Sequence, residues 1–165
     1  MVQFLLKEGF DDKPGGRFHT ALEAAAAAGH IPVVKSLLKI DTYIVSVNDM
    51  GGDYGTALCA ACACGKIEVV KALLAAGAGR NLDDAQLEAG KHFGGPLHVA
   101  VLMGNREMVE LLIGHNPGDA DCTWDGVGTA VNVAVYTQNR PLFDLLWQNG
   151  LREVSATVSL LHTHS

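Results

Sequence analysis

The chain is predicted to be an all-α solenoid of helix-turn-helix units joined by protruding loops. Two observations carry that expectation. A short pattern returns four times, as Thr20-Ala21-Leu22, Thr56-Ala57-Leu58, Gly95-Pro96-Leu97 and Thr129-Ala130-Val131, and these copies stand 36, 39 and 34 residues apart. Each copy runs through small residues to Gly29, Gly65, Gly104 or Gln138 and then into a second apolar run at helical spacing.

The first helix of each unit starts at that pattern. Thr20, Thr56 and Thr129 are placed to cap it, because a hydroxyl there accepts one of the orphan N–H groups of the first turn. The second helices are predicted over Pro32 to Lys39, Ile67 to Ala75, Arg106 to Ile113 and Pro141 to Gln148. Pro32 and Pro141 suit helix starts, where a missing N–H removes no bond. Val33/Val34/Leu37/Leu38, Val69/Val70/Leu73/Leu74, Met108/Val109/Leu112 and Leu142/Phe143/Leu145/Leu146 repeat at helical spacing. Gly77 and Gly150 stand where a left-handed residue closes a helix. These marks divide the chain into a half repeat at 1–11, repeats at about 16–50, 51–88, 91–122 and 125–150, and a tail at 151–165.

The half repeat is Val2-Gln3-Phe4-Leu5-Leu6, whose Val2 precedes Val34 by 32 residues. In the tail no further helix pair follows, and Val154, Ala156, Val158 and Leu160 alternate as an edge strand does. The chain is read as a piece of a longer array or as a self-capped short form.

In both helices the four copies resemble the ankyrin repeat, with its Thr-Pro-Leu-His opening and Val-Val-x-Leu-Leu run. The resemblance covers residues 1–150. Ala21, Ala57 and Ala130 stand where the family has Pro, and only His98 keeps the motif His. Gly51 to Leu58 is similar to the variant found in large fungal ankyrin proteins, and Phe18, Tyr54, Phe93 and Val127 fall in the register where that variant places an aromatic. Measured against a repeat of about 33 residues, the connecting fingers carry 3, 6 and 1 extra residues, the longest being an acidic insertion with Asp83, Asp84 and Glu88.

The resemblance implies a non-catalytic protein-binding module. It implies that the two positions before each break face outward from a concave surface, which here are Ala27, Ala28, Ala63, Cys64, Leu102, Met103, Tyr136 and Thr137. Such a strip is nearly all apolar, and contiguous exposed apolar surface marks interaction sites. An apolar or amphipathic partner segment fits it, with Phe18, Tyr54 and Phe93 as finger contacts. Alternatives stay open. The tail or a neighbouring chain covers the strip, or the alanines there have no consequence. A small-molecule binder or unconventional enzyme uses the groove, with Tyr136, Cys64 and His98 as its polar groups. Copies of the chain associate through the solenoid ends, at Phe4, Leu5, Trp147 and Leu151.

Other chemistries find little support. Net charge is −6 and the Lys and Arg residues are scattered, which argues against a nucleic-acid footprint. No apolar run is long enough to span a bilayer, and Lys7 and Glu8 break the N-terminal one, so no signal peptide is read. Four Cys without secretory marks fit reduced thiols in the cytoplasm or nucleus. Cys59, Cys62 and Cys64 share one helix while Cys122 lies two repeats away, so small buried packing is expected rather than a zinc site. His162 and His164 are two ligands without a scaffold, and His19, His92 and His115 are assigned to loops. There is no Gly-x-Ser-x-Gly, and the glycine pairs lack the Lys-Ser/Thr of a phosphate loop. No cofactor and no metal are expected.

Overall fold

The computed structural model of the protein describes residues 18–39, 46–79, 94–115 and 127–151. The half repeat, Asp83, Asp84, Glu88, Phe93, Cys122 and the tail beyond Leu151 lie outside the described residues. Eight helices occur among those described: α1 Ala21–Ala28, α2 Ile31–Leu37, α3 Ala57–Ala63, α4 Ile67–Ala75, α5 Pro96–Leu102, α6 Arg106–His115, α7 Ala130–Tyr136 and α8 Arg140–Gln148.

Two of the three threonines cap as the sequence implies. Thr20 and Thr56 are extended, at φ −127° and −129°, and their hydroxyls accept the N–H of Glu23 at 3.0 Å and of Cys59 at 3.1 Å. Thr129 does not cap: at φ −83° it is turned into the interior and makes no side-chain bond to its helix N-terminus. α2 and α8 start one residue ahead of their prolines, which occupy the first turn without loss of a bond. α2 ends at Leu37, short of Lys39. There the Ser36 hydroxyl donates to Pro32 O at 2.8 Å, and the chain tightens into a Lys39 N–H to Ser36 O bond. α6 runs on to His115, which is helical rather than in a loop.

The breaks between first and second helices share one geometry. Gly29, Gly65 and Gly104 take the left-handed conformation at φ 81°, 67° and 68°. Each donates to a carbonyl three residues back, and the next residue reaches five back, as in Ala26 O and Ala25 O for Gly29 and His30. Gln138 makes the same pair of bonds to Val135 O and Ala134 O at φ 54°, and among the described residues it alone has positive φ without being glycine. Gly77 and Gly150 close α4 and α8 in this way too, at φ 88° and 87°.

Two compact units result, residues 1–93 and 94–165. In the first, α1 packs on α3, α2 on α4, and each first helix on its own second helix. Their shared core holds Leu22, Ala25, Ala26, Val34, Leu37, Leu58, Ala60, Ala61, Val70 and Leu73. Alanines make up much of the face between α1 and α3, which pack on each other more extensively than any other pair of described helices. In the second unit α5 packs on both α6 and α7, and α7 on α8. Leu97, Val101, Met108, Val109, Val131, Leu142 and Leu146 fill that interior. Burying one such leucine is worth about 1.5–3 kcal/mol. One antiparallel bridge, Gly51 N–H to Gly55 O at 2.8 Å, pinches the finger that precedes α3.

Candidate functional site

In the second unit the outward positions are exposed. Leu102 is 42 % accessible, Met103 53 % and Tyr136 84 %. They lie at the C-terminal ends of α5 and α7, which pack side by side. Thr137 is exposed too, but its hydroxyl donates to Val133 O at 2.9 Å and so is committed to its own helix. Neither 102–105 nor 136–139 contains an Asp, Glu, Lys, Arg or His. On the second helices, Arg106 pairs with Glu110 at 2.8 Å and Arg140 with Asp144 at 3.0 Å, both exposed.

The first unit departs from the expected strip. Ala27 is only 8 % accessible and belongs to the core, because close packing of α1 takes its last inner turn out of solvent. Ala28 is exposed, and Ala63 and Cys64 are half-buried. The surface there is small-residued and shallow. Phe18 and Tyr54 stack on each other, with centroids 6.0 Å apart and planes 19° apart, so one face of each half-buried ring already has a partner.

His98 is fully buried. Its Nδ1 accepts the Gly95 N–H at 3.2 Å, which leaves Nε2–H to donate to Gly128 O at 3.0 Å. It ties one repeat to the next, as the motif implies. With both nitrogens engaged, it is unavailable as a polar group for a ligand near Tyr136.

Glu23 occupies the same register in the first repeat and is 2 % accessible. Its Oε2 accepts the His19 N–H at 2.7 Å, while Oε1 is buried without a hydrogen-bond partner. Burial pushes its carboxyl above the ordinary value of 4.5; the N–H groups of His19, Thr20 and Tyr54, and the His19 charge, pull the other way. Sequence reasoning passed over this residue, although Thr20-x-x-Glu23 is a capping-box signal.

Cys59 and Cys62 are buried in α3, as expected of small packing residues. Burial, and secondarily Cys59, pushes the Cys62 thiol well above its ordinary range, so it is no nucleophile at neutral pH. Among the described residues no three His, Cys, Asp or Glu gather as a metal site, and no helix is long and apolar enough to cross a membrane. At the end of the described chain Trp147 stacks on Phe143 at 5.6 Å and stays exposed. Leu151 is not the surface residue the association reading needs: after Gly150 its N–H returns to Leu146 O and the side chain is buried.

A family model described as ankyrin repeats (3 copies) matches the chain over residues 1–84 and 41–123. No curated protein matches it.

Proposed function

Because the chain belongs to the ankyrin-repeat family, we propose that it is a non-catalytic protein-interaction module whose exposed first-helix ends take an apolar or amphipathic segment of a partner protein. Ankyrin repeats are generally protein–protein interaction modules, which supports the class. The observation that carries the finer reading is the exposure of Leu102, Met103 and Tyr136 together at one end of two packed helices. Exposed apolar side chains in a group mark interaction surfaces. Tyr is favoured there as an anchor and Met as an adaptable contact. A tip with no charged side chain favours a neutral apolar face over an acidic or basic one. The half-buried Phe18 and Tyr54 rings offer a second contact in the first unit, and their register supports the likeness to the fungal variant.

The test is parallel affinity capture with the unaltered chain and a Leu102→Ser, Met103→Ser, Tyr136→Ser variant. All three side chains are exposed, so the variant is expected to melt close to the parent. Partners held by the parent should be lost by the variant. Equal recovery of the same partners by both proteins, with matching melts, overturns the proposal.

A further inference from the structure

Asn149 and Gly150 form the one Asn-Gly pair in the chain, and they close α8. An asparagine before a glycine carries its own chemistry. The backbone nitrogen that follows can attack the side-chain amide carbon, and glycine puts no side chain in the way. Gln148, Asn149 and Gly150 are all exposed. No atom lies within 4 Å of where a Cβ would stand on Gly150, so nothing packs over the glycine of the pair.

The turn itself does not ask for asparagine. α4 closes through Ala76 and Gly77 with the same bonds: Gly77 donates to Leu74 O at 3.0 Å and Ala78 to Leu73 O at 3.0 Å. At α8 Gly150 donates to Trp147 O at 3.2 Å and Leu151 to Leu146 O at 3.2 Å. Ala78 and Leu151 are both buried by this closure. The folded turn also keeps the reacting groups of the Asn-Gly pair apart. Asn149 Nδ2 donates to Leu145 O at 2.8 Å while the Gly150 N–H is held by Trp147 O. At ψ 12° the Gly150 nitrogen is turned away from the Asn149 side chain that it would have to approach.

We propose that Asn149 is a site of spontaneous deamidation, gated by opening of the last turn of α8, and that its conversion releases Leu151 from the core. The Gly150 nitrogen gives its proton to solvent base and bonds to Asn149 Cγ. The Cγ–Nδ2 bond breaks, and the amide nitrogen takes a proton from solvent and leaves as ammonia. Water then adds to either carbonyl of the resulting succinimide and cleaves one ring C–N bond, giving an aspartyl or an isoaspartyl linkage. Either product works against the turn. A carboxylate has no N–H to donate to Leu145 O, and it sits at the negative end of the helix dipole. The isoaspartyl form also adds a carbon to the backbone inside the closure, which takes the N–H groups of Gly150 and Leu151 out of register with Trp147 O and Leu146 O. The inference does not depend on the proposed function.

Peptide mass mapping of the full 165-residue chain, held in mildly alkaline buffer, tests it. Asn149 should convert about thirtyfold more slowly in the folded chain than in the same chain unfolded in urea, the factor that two hydrogen bonds of ordinary net worth supply. Isoaspartate should be among the products. After conversion the Leu151 amide should exchange with solvent about fivefold faster, as loss of one such bond implies, without a change in α3. Asn149→Ala should keep the slow exchange of the parent throughout the incubation, because alanine serves the same closure at Ala76. An Asn149 that stays intact in the folded chain over many half-lives of the unfolded reaction overturns the proposal. So does equal conversion in the folded and unfolded chains, or a converted chain whose Leu151 amide exchanges as slowly as before.

Discussion

Replacing Gln138 with glycine should stabilise this protein. Gln138 closes α7 at φ 54°, in the slot that Gly29, Gly65 and Gly104 fill after the other first helices. A side chain with a Cβ in that conformation costs about 1–2 kcal/mol. Glycine returns about 0.4–1 kcal/mol of that by loosening the unfolded chain. Gln138 is exposed, so no buried contact is lost with its side chain. The net gain is about 0.8 kcal/mol, which in a chain of this length raises the melting temperature by about 2–3 °C. Gly104→Ala is the mirror experiment. A Cβ there meets only Asn139 Nδ2 at 3.7 Å, an ordinary contact, so backbone strain alone is left to act. It should lower stability by a similar amount. Calorimetry of the three proteins, with urea unfolding to show unchanged slopes, measures both changes. An unchanged or lower melting temperature for Gln138→Gly would refute the assignment of strain to this residue.

Two further outcomes concern titratable groups. The folded chain holds the Glu23 proton more tightly than the unfolded one, because burial raises its carboxyl above 4.5. Its contribution to stability is therefore greatest below pH 4.5 and is lost as pH rises through the folded value. Glu23→Gln should remove that fall, so its stability relative to the parent improves as pH is raised from about 4 to neutrality; urea midpoints across the range decide it, and parallel profiles contradict it. A thiol reagent applied to the native chain should label Cys64, which is half-buried at the end of α3, well before Cys59 or Cys62, as peptide mass mapping would show. Equal labelling of Cys62 would mean that α3 opens far more readily than its burial implies.

Much of the fold was legible because the repeat period puts every residue in register with three others. Gly29, Gly65, Gly104 and Gln138 could be assigned one role from their alignment alone, and all four share the left-handed geometry. What register does not convey is the distance between neighbouring elements. Ala27 falls at an outward position, yet α1 and α3 carry so little side-chain bulk that it goes under. Leu102, Met103 and Tyr136 occupy equivalent positions on helices whose ends are bulkier, and remain outside. Thr129 has the right identity for a cap, yet with φ some tens of degrees from that of Thr20 it is buried and makes no cap bond. The carboxylate of Glu23 is buried through the packing of its own unit, against Tyr54 of the next finger, and no local pattern around Thr20 reveals that.

The link between one repeat and its successor has a polarity. His98 offers a proton to a carbonyl of the finger that follows it, whereas the Glu23 carboxylate accepts the His19 N–H and is favoured by the backbone N–H of Tyr54 in the finger after its own. The two joints are keyed in opposite senses. Units of nearly the same shape are thereby not equivalent: a first repeat moved in front of Gly128 would set an ionised carboxylate, which has no proton to give, against a carbonyl oxygen where His98 donates one. Within each unit, then, one polar side chain adds a preference for its own successor to the order that covalent sequence sets.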